Sequence, residues 1–385
     1  MLSSASRFAL LFTAAVSGAW DAQALIIYGT GPTDVNNALN TTAPTTGTFS
    51  YVSQFLWPYV ANFGNASAVY LGNGYLLTAN HVAPVPDSGI VINNVSYNRD
   101  LTYNPLQVVE GADVPDMKLV KIVNPPALAT LPIHFSTGDT TSCTLVGWGV
   151  GKGAIIAGQG WSWGSDPVRT QRWGTNSAVA ASSASTGLPF DGLRTLFNAG
   201  STNEAQITIG DSGSGLFSNI GGVWKLTGLA TNVSTANAAL YNPVDSSYFI
   251  RLKTYAHLLR YENWANLKLG SSTASMTADA DGDGSSNLLE YAFYTTPTSA
   301  ASSSRPQVGI EGGFLTLTYT QLMSATDLSY VVQESTDLTN PNGWIPATVI
   351  EEIVSTSGVT RVVKAKVAIN SAPQKFLRLS VTKVP

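Results

Sequence analysis

The stretch "ITIGDSGSGLF", residues 207–217, places a serine between two glycines and directly after an aspartate. A serine hydroxyl is a weak nucleophile unless a neighbouring imidazole accepts its proton, and that imidazole needs an acceptor that fixes its tautomer. A Gly-Ser-Gly turn alone is usually only a turn. Whether Ser212 is reactive therefore depends on a histidine and a carboxylate elsewhere in the chain.

The chain offers three histidines. His81 ends the stretch "GYLLTANHVA", where a predicted strand enters a turn of small residues, so its imidazole should stand at a domain edge. His134 lies in a predicted strand and His257 in a predicted helix, and both are interpreted as ordinary packed or surface residues.

The carboxylate should be rigidly held at the start of a strand. The stretch "DVPDMKLVKI" offers Asp113 and Asp116. Asp116 leads directly into the apolar run and is the preferred candidate, whereas Asp113 precedes a proline turn and is expected to be solvated.

The motifs "LTANH", "DMKLVKI" and "GDSGSG", in the order His, Asp, Ser, resemble those of the trypsin/chymotrypsin-like serine proteases. The resemblance covers about residues 51–265 and includes "LWPYVANF", "VGWGVG" and "YFIRLKTYAHLL". It implies two six-stranded antiparallel β-barrels with the active site in the cleft between them. Ser212 would attack a peptide carbonyl, His81 would transfer the proton and Asp116 would orient the imidazole. The backbone N–H groups of Gly210 and Ser212 would form the oxyanion hole.

The same resemblance implies the position of the substrate pocket. Its floor falls near Gln206, with Thr231, Asn232 and Val233 along one wall and Ser247 opposite. The Thr231 hydroxyl could also hydrogen-bond the catalytic aspartate. No carboxylate lies at the floor, so we expect a preference for an uncharged residue.

The N-terminus is typical of a secretory signal peptide over residues 1–24, with Arg7, an apolar run and the small-residue site "AQA". No Lys or Arg lies between Ala24 and Trp57, which argues against activation by a cut after a basic residue. Either cleavage after Ala24 exposes Leu25 as a partner for Asp211, or Asp211 is satisfied in another way.

Composition limits the remaining possibilities. Charged residues are 11% of the chain, against roughly 25% in average soluble domains. The net charge of -4 argues against a nucleic-acid partner, and no run is suited to a membrane span in the mature chain. The one cysteine, Cys143, cannot form an intrachain disulfide and is interpreted as a core residue. We expect a secreted, periplasmic or cell-surface bacterial protein that acts on peptides or proteins, and its oligomeric state is left open.

Short apolar segments separated by turn residues predict a mainly β chain. The expected domains are a protease domain at 25–268, a linker at 269–304 and a β-sandwich accessory domain at 305–385. Helical spacing in "LKTYAHLLRYENWANL" predicts one amphipathic helix over 252–267 that closes the protease domain.

The stretch "DADGDGSSNLLE", residues 279–290, has the spacing of a calcium-binding loop. Alternating carboxylates on a tightly curled loop converge on one hard cation, and the last glutamate closes the sphere from a following helix. The expected ligands are Asp279, Asp281, Asp283, Ser285 through its carbonyl, Asn287 and Glu290. A structural Ca²⁺ between domains is the predicted role, and a solvated acidic turn is the alternative.

The stretches "DADGDGSSNLLEYAF", "LSYVVQESTDLTNPNGW" and "FLRLSVT" resemble, more loosely, C-terminal modules of secreted bacterial proteins. That resemblance implies attachment or spacing. For the whole chain the leading hypothesis is a serine endopeptidase. The alternatives are a catalytically silent binding or adhesion protein on a protease fold, and an esterase with the same triad.

Overall fold

A computed structural model of the 385-residue chain describes residues 25–110, 113–135, 142–164, 169–181, 188–235, 238–240, 245–369 and 374–384. The predicted signal peptide, residues 1–24, lies outside this part. Strands far outnumber helices in it, and the predicted mainly β fold class is confirmed. None of the described helices is long and apolar enough to cross a membrane.

The first half of the protease region forms one sheet of seven strands. In order across the sheet they are Val95–Tyr97, Ile90–Ile92, Val60–Phe63, Ala66–Gly72, Tyr75–Ala79, Met117–Lys121 and Leu106–Gln107. All seven residues of Ala66–Gly72 are buried, so this strand is covered on both faces. Asn73 and Gly74 form the two-residue turn of the hairpin that leads to Tyr75–Ala79. Their φ angles are 53° and 85°, and positive φ at both positions is the favoured geometry of such a turn.

The second half forms a closed barrel of six antiparallel strands. In order around the barrel they are Arg172–Ala181, Gly192–Leu196, Ser246–Arg251, Val223–Val233, Gly215–Ile220 and Ser142–Gly147. Leu145, Leu193, Leu216 and Phe249 fill its interior. Cys143 packs among them, which places the thiol in the core as the sequence predicted.

The two halves are not equivalent barrels. The resemblance implied two six-stranded barrels, and the second half closes as one continuous ladder of six strands. In the first half seven strands are paired in linear order, and shorter contacts join the two sides of the sheet. Arg99, just after strand Val95–Tyr97, forms a bridge with Ile122, just after strand Met117–Lys121. The N–H of Val123 donates to the carbonyl of Asn98 at 3.0 Å, and the N–H of Asp100 donates to that of Lys121 at 2.8 Å.

Smaller elements complete the protease region. Strand Ile26–Ile27 pairs with Ala205–Gln206 and so ties the start of the described chain to the second barrel. The remaining elements are the three-stranded sheet Lys152–Ile156, Gly160–Trp163 and Ala238–Leu240, the π-helical turn Val52–Leu56 and the 3-10 turn Trp57–Tyr59.

The predicted closing helix over 252–267 is broken into three pieces, which are Leu252–Tyr255, the 3-10 turn Ala256–Leu258 and Tyr261–Leu269. The break has a physical cause. The carbonyl of Leu259 accepts hydrogen bonds from the N–H of Thr326 at 3.0 Å and from its hydroxyl at 2.8 Å. Arg260 is extended, with φ of −155° and ψ of 147°, and the next helix begins after it.

Among its described residues, the C-terminal part contains one helix, Asn287–Phe293, and seven strands. One sheet consists of Gln307–Glu311, Phe314–Leu322, Thr360–Ala368 and Ile350–Ser357, and the other of Ile345–Pro346, Leu328–Ser335 and Phe376–Lys383. Leu317, Tyr319, Val332 and Val363 pack in a core of this part.

The C-terminal part packs directly on the protease region. Leu322, Ala325 and Val359 belong to the same hydrophobic core as the seven-stranded sheet. The amide of Asn73, in the hairpin turn of that sheet, donates to the carbonyl of Thr326 at 3.3 Å. The described chain therefore shares one core across the boundary that the sequence marked as a linker.

Candidate active site

His81 and Asp116 are brought together by two neighbouring strands. Strand Tyr75–Ala79 pairs with Met117–Lys121 so that Ala79 lies opposite Met117, and the chain then enters the turn that carries His81. The N–H of His81 donates to Asp116 Oδ1 at 2.9 Å, and Nδ1 lies 2.6 Å from Asp116 Oδ2. The carboxylate therefore holds both the backbone and the ring of His81. Asp113, the other candidate, is exposed.

Ser212 lies on the other side of the imidazole. Its Oγ is 2.8 Å from His81 Nε2, so Asp116, His81 and Ser212 form one hydrogen-bonded chain. The His81 side chain is 49% exposed, which leaves the ring open to a substrate. An open cleft of about 420 Å³ lies beside the two residues, and apolar groups of Val82, Pro84 and Ile209 contribute to its lining.

Two backbone N–H groups of the Ser212 turn have no partner among the described residues. No hydrogen bond within the described chain uses the N–H of Gly210 or of Ser212. Gly210 has φ of +87° and Gly213 has φ of +84°, a region that favours glycine. A Cβ at Gly213 would also lie 2.2 Å from the carbonyl oxygen of Ser67. The two glycines therefore permit the tight turn that carries Ser212.

Asp211, the residue before the nucleophile candidate, is fully buried. Its carboxylate accepts from the N–H groups of Leu25 at 3.1 Å, Thr208 at 2.9 Å and Gly149 at 2.7 Å, and from the Thr208 hydroxyl at 3.1 Å. Burial raises the pKa of Asp211 to about 6, although these donors and the charge of Arg172 act in the opposite direction. Asp211 thus connects the Ser212 turn to the start of the described chain.

Lys118 is a positioning residue that the sequence did not reveal. Its buried ammonium donates to the carbonyls of Asn80 at 3.1 Å and Val82 at 2.6 Å, the two residues that flank His81. Burial lowers the pKa of Lys118, and the nearby charge of Asp116 opposes that effect. In the sequence, Lys118 is only a charged residue within an apolar strand, and nothing there indicates which carbonyls its ammonium binds.

Ser67 supports the Ser212 turn in a comparable way and was also missed. Its hydroxyl donates to the carbonyl of Gly210 at 3.0 Å and accepts from the N–H of Trp148 at 3.0 Å. Its own N–H donates to the carbonyl of Ser212 at 3.0 Å. No motif in the sequence pointed to this residue.

Two of the predicted pocket residues lie together in the second barrel. Gln206 and Ser247 are both fully buried, and the Ser247 hydroxyl donates to Gln206 Oε1 at 3.0 Å. The same hydroxyl accepts from the N–H of Ile207 at 3.2 Å. Gln206 Oε1 is thus an acceptor for the Ser247 hydroxyl, and these contacts include no carboxylate.

The predicted pocket wall is part of strand Val223–Val233. Asn232 is exposed, Val233 is partly buried and Thr231 is buried. The Thr231 hydroxyl donates to the carbonyl of Tyr248 at 3.4 Å. The Asp116 carboxylate accepts its described hydrogen bonds from His81. The hydrogen bond suggested between Thr231 and Asp116 is not present among the described contacts.

The other candidate groups lie away from this site. His134 is buried in the core, and His257 is buried with Nε2 3.0 Å from Glu110 Oε2. Burial raises the pKa of the Cys143 thiol to about 12, so this cysteine is held as a neutral thiol.

The predicted metal-binding loop lies in the C-terminal part, beside the helix Asn287–Phe293. Asp279, Asp281 and Asp283 each place a carboxylate oxygen within 4.8 Å of those of the other two. Ser285, Asn287 and Glu290 are buried around them.

The comparisons with known proteins agree with this geometry. The family model named Trypsin matches residues 47–258, which is more than half of the 385 residues. No curated protein sequence matches the chain. The matched region contains the seven-stranded sheet, the closed barrel and the site between them. The chain therefore belongs to the trypsin family.

Proposed function

We propose that this protein is a serine endopeptidase that hydrolyses peptide bonds through an acyl-enzyme intermediate. The observation that carries the proposal is the hydrogen-bonded chain from Asp116 through His81 to Ser212. The N–H groups of Gly210 and Ser212, in the same turn, have no partner among the described residues. Membership of the trypsin family supports a peptidase.

The geometry suits each proton transfer of this reaction. As Ser212 Oγ forms its bond to the substrate carbonyl carbon, His81 Nε2 accepts the hydroxyl proton across 2.8 Å. The carbonyl oxygen becomes an oxyanion and accepts from Gly210 and Ser212, where each donor is typically worth about 3 kcal/mol of barrier. His81 then gives the proton to the leaving amine as the C–N bond breaks. A water molecule, deprotonated by His81, then attacks the acyl-enzyme ester. His81 returns the proton to Ser212 Oγ as the ester bond breaks.

Asp116 has an orienting role in this proposal. Its two oxygens bind the N–H and the Nδ1 side of the same residue, so the proton on Nδ1 and the lone pair on Nε2 are both fixed. The carboxylate also stabilises the imidazolium that forms when His81 accepts the proton. We further propose that the substrate residue before the cut is uncharged, because the residues at the predicted pocket floor, Gln206 and Ser247, carry no charge. We propose that the protein acts after export, on the basis of the signal-peptide pattern.

The test uses a fluorophosphonate probe, which reacts with an activated serine, on the wild type and on Ser212→Ala. We expect labelling of the wild type alone. Cleavage of a mixed peptide library and of matched ester substrates then separates a peptidase from an esterase and identifies the preferred residue. Absence of labelling in a folded wild type that begins at Leu25 would favour the silent binding protein.

A further inference from the structure

We infer that the loop 279–290 binds one Ca²⁺ ion and that this ion locks the helix Asn287–Phe293 between the protease region and the C-terminal sheets. The inference goes beyond the proposed peptidase function and does not depend on it. It rests on the loop geometry, on buried oxygen atoms without partners and on the contacts that the helix makes.

The loop is curled so that its carboxylates converge. The N–H groups of Gly282 and Gly284 both donate to Asp279, each at 2.8 Å. Gly282 and Gly284 have φ of +78° and +89°, which gives the loop its two sharp bends. Asp279, Asp281 and Asp283 then have oxygens within 4.8 Å of one another.

A second observation points to a ligand. Four buried oxygens have no hydrogen-bond partner among the residues that the structure describes, namely Asp281 Oδ2, Asp283 Oδ2, Asn287 Oδ1 and Glu290 Oε2. Glu290 is 0% exposed and Asn287 is 2% exposed. Burying a carboxylate oxygen without a partner is costly, and these oxygens belong to the residues predicted as metal ligands. Burial raises the pKa of Glu290 to about 7, and the nearby charges of Asp281 and Asp283 act in the same direction.

The chemistry of the donors favours calcium. All are oxygens, from carboxylates and an amide, with the backbone carbonyl of Ser285 at the seventh loop position. Ca²⁺ takes six to eight oxygen ligands in flexible geometry and accepts both oxygens of a glutamate at the twelfth position. Mg²⁺ requires a nearly ideal octahedron and usually keeps several waters, which a loop with a bidentate glutamate suits poorly.

The helix that carries Glu290 also holds the two parts of the protein together. The residue after it, Tyr291, is fully buried, and its hydroxyl donates to Asp327 Oδ1 at 2.9 Å. Asp327 Oδ2 accepts from the N–H of Tyr261 at 2.8 Å, at the start of the last protease helix. The ring of Tyr291 packs edge-on against that of Tyr261, with centroids 5.7 Å apart.

Calcium would therefore act on the interface directly, because the ligand Glu290 is adjacent in the chain to the interface residue Tyr291. Without the ion, four carboxylates remain close together and repel one another, which favours opening of the loop and of the first helical turn. Opening there displaces Glu290 and loosens the adjacent Tyr291. With the ion bound, the helix is fixed on both sides. The catalytic site lies in another part of the fold, so its serine should stay reactive in either state.

The experiment uses the full chain with Ser212→Ala, which prevents self-digestion. After removal of metal with a chelator, isothermal titration with CaCl₂ should show one site, with MgCl₂ at least about tenfold weaker. Glu290→Gln should weaken calcium binding by about 100-fold, and the matched control Glu351→Gln, on an exposed strand of the same part, should not change it. Asp281→Asn serves as a second ligand variant if Glu290→Gln does not fold.

Hydrogen exchange then tests the lock. Calcium should slow amide exchange in Asn287–Phe293 and in Tyr261–Leu269, and leave Ala66–Gly72 unchanged. Tyr291→Phe should keep the calcium affinity but lose the protection of Tyr261–Leu269. Calcium binding that protects only the loop would overturn the lock, and absence of calcium binding by a folded chain would overturn the site.

Discussion

The buried contact between Asp211 and Leu25 makes the start of the mature chain testable. In the structure the backbone N–H of Leu25 donates to Asp211 Oδ2 at 3.1 Å, beside the two donors of Thr208. If the chain is cut after Ala24, this nitrogen becomes a charged ammonium at neutral pH, since an α-amino group has a pKa of about 8. The experiment therefore compares two forms that differ by one N-terminal residue, one that begins at Leu25 and one that begins at Ala24.

The size of the effect follows from the pKa of Asp211. With an amide at Leu25, burial raises this pKa from 3.8 to about 6. A carboxyl with a raised pKa binds its proton more tightly in the folded than in the unfolded chain, so stability falls as pH rises from about 4 to about 6. The loss is about 3 kcal/mol in the free energy of unfolding. An ammonium at Leu25 favours the ionised carboxylate, lowers its pKa and removes this loss.

The assay is urea unfolding of both forms at pH 4 and pH 7, in the Ser212→Ala background. Other titrating groups are common to the two forms, so their contributions cancel in the comparison. We expect the form that begins at Ala24 to lose about 3 kcal/mol more between the two pH values. With active Ser212, that form should also react more slowly with a fluorophosphonate, because Asp211 adjoins the Ser212 turn.

Asp211→Asn is the control, because it removes the titrating group from both forms and should abolish the difference between them. Equal pH dependence of the two forms with Asp211 intact would refute the reasoning. It would show that the amide donors from Gly149 and Thr208 already suffice for the carboxylate.

Four further predictions concern single residues. Asp116→Asn should lower kcat on a peptide substrate by about 10⁴-fold with little change in KM, and an unchanged kcat would contradict the orienting role. Lys118→Met should lower kcat and reduce stability by about 1–3 kcal/mol, whereas Lys121→Met, at the other end of the strand, should do neither. Ser67→Ala should cost about 1–3 kcal/mol of transition-state stabilisation, seen as slower fluorophosphonate labelling in a folded protein. Cys143 should resist an aromatic disulfide reagent until urea unfolds the chain, so rapid labelling of the native protein would place the thiol elsewhere.

The order of the motifs predicts the three central residues of the site. His81 follows a predicted strand, Asp116 leads into another and Ser212 lies between two glycines, and the structure places them within hydrogen-bond distance. The mainly β class followed from the short apolar segments for the same reason, since local patterns determine local structure.

Features that depend on distant contacts were beyond the sequence. The helix predicted over 252–267 has good local periodicity, but the carbonyl of Leu259 is taken by Thr326, which is 67 residues away. Lys118 and Ser67 could not be recognised either, because their partners are backbone carbonyls that only the folded turns bring near. Local periodicity carries no information on such contacts.

The common core of the protease region and the C-terminal sheets has an evolutionary consequence. Leu322, Ala325 and Val359 pack on the same side chains that support the His81 strand. Transferring the C-terminal part to another enzyme, or deleting it, would expose apolar surface on both pieces and leave the Leu259 carbonyl without Thr326. Natural selection therefore acts on the two parts together, and substitutions at their boundary should be inherited in compensating pairs.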